Sequence, residues 1–329
     1  MRRRKLLQLG AGSVTALSAG ALTTGTPHIA NAQARWPTKP VRVIVPFAAG
    51  GGTDVVARPW ADRLGQIFGQ PFVIENRGGA SGIIGTEAVV RSPPDGYTLL
   101  ISSNTSTVNL PLMRSIPYDT KQLEPIARVG DAVTGFAIHP AVGVKSLQEM
   151  LDYAKKNPGK LTFGSSGAGT TTHLRLEMLK FRTGVDILHV PYRGGADSLI
   201  DLLSNNVNMM NEPVVNPHCK AGKLILLNIN HKERSPDFPD VQTLTELGYP
   251  DSDVAIWISL WAPAGVPADI KQRLNEAIVS ESKLPAMREK LRIAGSAAVV
   301  MSIPELEAFR EQEYQQMANL VKRANIRLE

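Results

Sequence analysis

Two glycine-rich loops carry the residues whose types and spacing could bind an anion. The first has the sequence Phe-Ala-Ala-Gly-Gly-Gly-Thr-Asp over 47–54, between a predicted strand and a predicted helix. Glycines let a ligand approach the backbone, and free N–H groups at a helix N-terminus favour negative charge. Thr53 or Asp54 is expected to cap this helix. The loop suits a carboxylate or phosphate, although an ordinary tight turn has the same residue types.

The second loop has the sequence Gly-Ser-Ser-Gly-Ala-Gly-Thr-Thr-Thr-His over 164–173 and offers more hydroxyl groups. Serine and threonine hydroxyls can donate hydrogen bonds to an anion without adding net charge. His173 falls in the first turn of the next helix, facing either the cleft or the core. A third loop, Pro-Tyr-Arg-Gly-Gly over 191–195, offers Arg193, which could bind a carboxylate or lie in solvent.

The motifs of common enzyme classes are incomplete in these loops. The Gly-x-Ser-x-Gly motif of serine hydrolases would need glycine where Ala168 stands. The Gly-x-Gly-x-x-Gly motif of dinucleotide-binding proteins would need glycine where Val55 stands. The first loop has no lysine after its glycines, so it is not a P-loop. The six histidines include no His-x-x-x-His pair, and no carboxylate-rich cluster indicates a metal. We therefore predict no enzyme activity, no metal and no cofactor.

Charge and length favour an exported protein of two domains. The 329 residues suffice for two cores. Residues 1–34 hold four of the 36 basic residues and none of the 30 acidic ones, so the remainder is nearly neutral. No nucleic acid or anionic membrane is therefore expected as a partner. The single cysteine, Cys219, excludes an intramolecular disulfide.

Residues 1–34 have the pattern of a signal peptide. Basic residues at 2–5 precede a short apolar stretch, and small residues allow cleavage after Ala32 or Ala34. The sequence Arg-Arg-Lys-Leu-Leu over 3–7 fits the twin-arginine route as well as ordinary secretion. We predict a periplasmic protein.

The remaining chain alternates strand-like and helix-like segments, which is typical of an α/β fold. Val56, Trp60, Leu64 and Ile67 are predicted to share the buried face of the first helix. Ser146 and Glu149 have the spacing of a capping box. The predicted strands are 41–45, 72–75, 97–101, 161–163, 187–190, 224–229 and 254–262. The predicted helices are 53–68, 82–91, 146–156, 170–181, 196–203, 267–281, 285–294 and 304–324.

The second series of elements, from about residue 139, is predicted to form a domain inserted within the first. The chain would cross between domains near 133–140 and again near 249–261, and these two strands would act as a hinge. We assign 1–34 to the signal peptide, 35–137 plus 255–329 to lobe one, and 138–254 to lobe two.

Eight segments together give the sequence a family resemblance. They include Trp-Pro-Thr-Lys-Pro-Val-Arg-Val-Ile-Val-Pro-Phe over 36–47, the Gly-Gly-Gly-Thr-Asp loop, and His-Val-Pro-Tyr-Arg-Gly over 189–194. The others lie at 75–77, 94–99, 158–161, 221–224 and 260–265. In this order the chain resembles the Bug/TctC receptors, the periplasmic solute-binding components of tripartite tricarboxylate transporters.

The resemblance implies a type II periplasmic-binding-protein fold, a two-lobed Venus flytrap with two crossing hinge strands. It also implies that donors from the first two loops hold a ligand carboxylate, often through water. In lobe one the implied positions are Phe47, Ala48, Gly51, Gly52, Thr53, Asp54, Ser103 and Thr105. In lobe two they are Ser165, Ser166, Gly167, Gly169, Thr170 and His173, and Arg193 is added from the third loop.

Three positions depart from the family pattern. Ala49 replaces a proline, which makes the first loop less stiff. Pro59 lies inside the first predicted helix, where it costs roughly 3 kcal/mol and is expected to kink it. Glu212 stands where the family has a cleft-facing Asp. The longer acid would shrink the pocket, favour a ligand with a polar or cationic far group, or sit in a buried pair.

We therefore predict a receptor for a small mono- or dicarboxylate. Its expected partners are the membrane components of a tripartite tricarboxylate transporter or, as the alternative, a sensor kinase to which it presents the ligand. A monomer is expected. A secreted hydrolase on the same fold is the remaining alternative, and it would need Ser166 as an activated nucleophile.

Overall fold

The computed structural model describes residues 36–250 and 253–326, so the predicted signal peptide lies outside the described residues. The strands are β1 Val41–Val45, β2 Phe72–Asn76, β3 Thr98–Ser103, β4 Leu123–Ala132, β5 Ala137–Ile138, β6 Thr162–Ser165, β7 Leu188–Pro191, β8 Met209–Met210, β9 Ile225–Leu226, β10 Trp257–Pro263 and β11 Ser296–Ala297. The helices are α1 Gly52–Phe68, α2 Ile83–Val90, α3 Leu110–Met113, α4 Leu147–Lys156, α5 Thr171–Thr183, α6 Gly195–Leu203, α7 Asn216–Lys220, α8 Ala268–Ser282, α9 Pro285–Ile293 and α10 Ile303–Arg323. A π-helical turn at Thr105–Asn109 joins β3 to α3.

Six strands form the first sheet, in the order β11-β4-β10-β3-β1-β2. β1 is parallel to both β2 and β3, whereas β10 runs antiparallel to β3 and β4. The parallel strands β1 and β3 end at the same edge, so the loop at 46–51 and the turn after Ser103 lie close together. Trp60 fixes α1 across this sheet, because its indole Nε1 donates to the carbonyl of Val129 at 2.8 Å.

Five strands form the second sheet, in the order β7-β6-β8-β5-β9. β6 is parallel to β7 and β8, and β5 is antiparallel to β8. The carboxyl ends of β6, β7 and β8 therefore bring the second loop, the third loop and Glu212 to one edge. A separate core packs beneath this sheet and includes Phe136, Met150 and Phe163.

The chain passes from the first sheet to the second between β4 and β5 and returns between β9 and β10. We call the part built on the six-stranded sheet the first lobe and the part built on the five-stranded sheet the second. The α/β class and the two-lobed arrangement predicted from the sequence are confirmed. The domain boundaries at 34/35, 137/138 and 254/255 stay predictions.

Most predicted elements occur within a few residues of their expected bounds, with three differences. Ile67 is 40% exposed, so it does not share the buried face of Val56, Trp60 and Leu64. Helix α1 runs unbroken through Pro59. The predicted strand 224–229 is only two residues long, because the Asn228 side chain replaces a backbone partner by accepting from Phe136 N and so interrupts the regular pairing.

The capping box expected at α4 is only half formed. Ser146 caps the helix through Glu149 N, but the Glu149 carboxylate accepts from Lys145 N and not from Ser146. In the described ranges, no helix has the length and apolar character needed to cross a membrane.

Candidate ligand-binding site

A cavity of about 40 Å³ lies between the two lobes, where the loops after β1, β3, β6 and β8 converge. Space of this size holds about three water-sized groups in the closed arrangement of the lobes. Its lining consists of Phe47, Gly51, Gly52, Thr53, Ser103, Thr105, Ala132, Ser166, Thr170, Thr171, Thr172, Gly195, Glu212, Pro213, Ile256 and Ile258.

The N-terminus of α1 forms one wall of the cavity. Its N-cap is Gly51, which has extended backbone and no side chain to satisfy the first N–H groups. The expectation that Thr53 or Asp54 caps the helix is wrong. Asp54, in the first turn, instead accepts from Gly50 N at 2.8 Å and pairs with Arg58. The first turn of α1 therefore presents its N–H groups and its positive dipole end towards the cavity.

The second loop forms the opposite wall and is held by its own hydroxyl groups. Thr170 is the N-cap of α5, and its Oγ1 donates to the carbonyl of Gly167 at 2.7 Å. The Thr172 hydroxyl lies 2.9 Å from that of Thr170 and 3.4 Å from that of Ser166. This linked set places several hydroxyl groups along one side of the cavity.

A stacked histidine pair supports the second loop from behind. The rings of His173 and His189 lie 3.8 Å apart and nearly parallel. His173 Nδ1 accepts from Gly169 N at 3.0 Å, and His189 Nε2 lies 2.6 Å from the Ser165 hydroxyl. Neither ring lines the cavity. Both rings hold the loop in place through its backbone and Ser165.

Burial makes this support sensitive to acid. Burial, reinforced by the neighbouring His173, lowers the pKa of His189 to about 4, while Glu177 opposes the shift and Lys180 adds to it. The folded protein then binds fewer protons than the unfolded chain between about pH 6.5 and pH 4. Stability from this group is therefore present above that window and is lost as the pH falls through it.

We expect His189→Gln, which keeps a polar group near Ser165, to flatten the loss of stability on acidification. The measurement is the free energy of unfolding by urea at about pH 7.5 and about pH 5. An identical decline for the wild type and the variant would contradict the assignment of this loss to His189.

Thr171 joins the lobes across the cavity. Its hydroxyl lies 3.0 Å from the Thr105 hydroxyl, accepts from Asn109 Nδ2 at 2.9 Å and donates to Asn104 Oδ1 at 3.1 Å. The Thr171 N–H also donates to Thr105 Oγ1. A second contact between lobes runs from the Ser81 hydroxyl to the carbonyl of Ala168 at 2.7 Å. The lobes are thus closed on one another in this structure.

Glu212 follows β8 and projects its carboxyl group into the cavity. The side chain is only 5% exposed, and Oε1 has no hydrogen-bond partner within the described part of the chain. A Cβ atom built on Gly195 would lie 1.8 Å from Glu212 Oε2, so a larger residue there would displace the Glu212 carboxyl group. Burial raises the pKa of Glu212, opposed by the Ser166 hydroxyl, the Gly52 N–H and the Arg175 charge.

Arg175 on α5 lies fully buried behind Glu212. Its Nε donates to the carbonyl of Val254 at 2.6 Å, and Nη1 donates to Asn211 Oδ1 at 2.7 Å. Asn211 in turn donates to Asn230 at 2.7 Å, so the guanidinium binds both the residue before Glu212 and the returning hinge segment. Burial lowers the pKa of Arg175 to about 10, and the group stays charged at neutral pH.

Nine of the residues predicted from sequence line the cavity: Phe47, Gly51, Gly52, Thr53, Ser103, Thr105, Ser166, Thr170 and Glu212. Seven do not: Ala48, Asp54, Ser165, Gly167, Gly169, His173 and Arg193. Most of these seven residues belong to the first and second loops but lie on the side that faces away from the cavity. Arg193 is exposed, because the third loop turns its guanidinium outwards while Gly195 faces the cavity.

Seven lining residues were not predicted: Ala132, Thr171, Thr172, Gly195, Pro213, Ile256 and Ile258. Thr171 and Thr172 directly follow predicted positions, so the hydroxyl pattern of the second loop could have included them. Ile256 and Ile258 belong to the hinge and have no sequence signal beyond an apolar strand. No group of His, Cys, Asp and Glu in residues 36–250 and 253–326 could hold a metal ion.

Comparison with known proteins gives consistent similarities. The model of the family described as tripartite tricarboxylate transporter family receptor matches residues 56–326. Protein BugT of Bordetella pertussis is 37% identical over 298 residues, which cover 89% of this chain and 91% of that protein.

Two solved structures are similar over most of the chain. The R. palustris protein Rpa4515, solved with adipate, is 32% identical with a TM-score of 0.85, covering 89% of this chain and 99% of that one. The periplasmic binding protein BugD is 32% identical with a TM-score of 0.83, covering 89% of this chain and 100% of that one. The likeness extends over both lobes.

Proposed function

The chain belongs to the family of tripartite tricarboxylate transporter receptors, and on this premise we propose that it captures a small organic carboxylate between its lobes. Proteins of this family are periplasmic solute-binding receptors and not enzymes. We therefore reject the alternative of a hydrolase with Ser166 as nucleophile.

The observation that carries the proposal is the convergence of uncharged donors from both lobes on one cavity. The first lobe supplies the α1 N-terminus with Ser103 and Thr105, and the second supplies Ser166 and Thr172. Such donors match the oxygen atoms of a carboxylate. A ligand that contacts both lobes also favours the closed state over the open one, as a receptor requires.

The loaded receptor then delivers its ligand to the membrane components of a tripartite tricarboxylate transporter. We place the mature protein in the periplasm, after cleavage following Ala32 or Ala34. Pull-down of membrane partners with and without adipate tests this delivery, because a transporter component should distinguish loaded from unloaded receptor. The monomeric state and the sensor kinase as alternative partner stay predictions.

Thermal unfolding with a panel of acids tests the binding proposal. The protein is first unfolded and refolded to remove any bound acid, then mixed with adipate, succinate or propionate, and with 1,6-diaminohexane as a cation of similar length to adipate. An acid at a hundred times its Kd should add about 2.7 kcal/mol of stability. A response to the diamine with none to any acid would refute the proposal.

A variant pair locates the response in the cavity. Ser166→Ala removes a lining hydroxyl and is expected to weaken binding of the responding acid about three- to tenfold, since a hydrogen bond contributes about 0.5–1.5 kcal/mol. Ser204→Ala alters an exposed serine outside the cavity and should leave affinity unchanged. Isothermal titration calorimetry measures both, and equal affinities would place the binding elsewhere.

A further inference from the structure

The cavity has one ionisable group in its lining, and that group is an acid. Within the described part of the chain, Glu212 is the only charged or titratable side chain among the lining residues. The remaining walls are hydroxyl groups, backbone, Pro213 and apolar side chains. A site for carboxylates therefore contains a carboxyl group and no lining cation.

Glu212 also occupies the place that would best stabilise an incoming anion. Its Oε2 lies 3.7 Å from a Cβ built on Gly52 and 1.8 Å from one built on Gly195. These glycines are the first residues of α1 and α6, whose N-caps, Gly51 and Gly194, have no side chains. The carboxyl group thus lies between the positive ends of two helices.

The charges around Glu212 leave one cation to balance it. Arg175 on α5 is the group whose charge acts on the Glu212 carboxyl. Three acids on the other elements are paired or turned away: Asp54 on α1 binds Arg58, Asp131 on β4 binds Arg128, and Asp197 on α6 is exposed. Asp253 acts on Arg175 together with Glu212, so this cation is already shared. One guanidinium cannot balance both Glu212 and a ligand carboxylate in a closed, buried site.

We propose that this receptor binds its carboxylate together with one proton, which Glu212 holds in the complex. The inference rests on the proposed function. The proton comes from solvent and bonds to a Glu212 oxygen, and the ligand keeps its own charge. The Glu212 hydroxyl then donates to the ligand carboxylate, so the complex holds no more negative charge beside Arg175 than the free site with Glu212 ionised. The partner-free Oε1 gives this hydroxyl a direction in which to donate.

The burial of Glu212 supports this step, because burial already raises its pKa before any second anion enters. A ligand anion beside it raises the proton affinity further. Proton uptake occurs at pH values where Glu212 is ionised in the free protein. There the affinity should fall by up to about tenfold per pH unit as the pH rises.

Isothermal titration calorimetry with adipate measures the proton directly. At about pH 7 and above adipate is fully ionised, so any proton taken up goes to the protein. Titrations in phosphate and in Tris, whose ionisation enthalpies differ, are repeated between about pH 6 and pH 9. We expect uptake approaching one proton per adipate in the upper part of this range.

Two variants assign the proton to a residue. Glu212→Gln keeps the shape and a donor N–H, so it should bind adipate with no proton uptake and with affinity independent of pH. Glu313→Gln is the matched control, since Glu313 is another carboxyl group with a pKa raised by burial but lies outside the cavity. This control should retain the proton uptake of the wild type.

The outcomes separate the two proposals. If adipate, succinate and propionate all fail to bind, the proposed function fails. If an acid binds with no proton uptake at any pH, or if Glu212→Gln retains the uptake, only the proton inference fails. Should Glu212→Gln not fold, infrared difference spectra of the wild type decide: the C=O band of a protonated carboxylic acid must appear on binding, and its absence refutes the inference.

Discussion

Replacing Arg175 with Met is expected to lower the free energy of unfolding by about 3–5 kcal/mol, the cost of removing one partner from a buried charged network. Methionine fills a similar volume but donates no hydrogen bond. The carbonyl of Val254 and Oδ1 of Asn211 would each lose a short hydrogen bond from the guanidinium. Glu212 would also lose Arg175, the only cation of the described residues whose charge acts on it.

The loss should depend on pH with a definite sign. Without Arg175, the pKa of Glu212 rises further, and a protonated Glu212 no longer needs a cation. The destabilisation should therefore be larger near pH 8 than near pH 5. Urea unfolding at both values measures it, and the second change Glu212→Gln should restore part of the stability lost at the higher pH.

Arg42→Met is the matched control. Arg42 pairs with Glu75 at the surface, with side chains 51% and 41% exposed. Exposed pairs contribute about 0–1 kcal/mol, so this variant should unfold almost like the wild type. If the free energy of unfolding fell by a similarly small amount in both variants, Arg175 would not be structurally required.

Most of the fold could be predicted because its local patterns are consistent. β1 consists mainly of β-branched residues, and α1 ends just before Gly69, which has the left-handed backbone of a helix C-cap. β4 was not predicted, since Pro125, Arg128 and Gly130 interrupt its apolar pattern. Its burial comes from β10 and β11 on either side, and Arg128 is accommodated by stacking 4.1 Å from the ring centroid of Phe309.

The candidate site could be predicted only where the residues of a single loop indicate ligand binding by themselves. Glycine and hydroxyl residues next to a strand indicate anion binding by themselves, so both main loops could be recognised. Arg175 had no such signal, because an arginine in the middle of a helix usually faces solvent. Its role depends on Asn211 and Val254, which lie 36 and 79 residues further along the chain. The surroundings of Glu212 likewise come together only in the folded protein.

Replacing Thr171 with Val is expected to weaken, about 30- to 150-fold, the binding of the acid that stabilises the wild type. Valine keeps the β-branched shape but removes the hydroxyl that meets Thr105, Asn109 and Asn104 across the cavity. In the open state water hydrogen-bonds to these groups, so removing the Thr171 hydroxyl destabilises mainly the closed state. Two or three hydrogen bonds at about 1 kcal/mol each correspond to this range of affinity.

Thr183→Val separates this effect from a general weakening of α5. Thr183 lies at the other end of the same helix, and its hydroxyl donates to the carbonyl of Leu179 at 2.6 Å. Calorimetric titration should give this control the wild-type Kd for the same acid. Small-angle scattering should show that Thr171→Val closes less completely at an equal concentration of that acid. The apparent affinity is proportional to the fraction of the protein in the binding-competent state. A variant that closes less completely should therefore also bind the acid more weakly. A Thr171→Val protein that closed fully yet bound weakly would assign Thr171 to ligand contact and not to the contact between lobes.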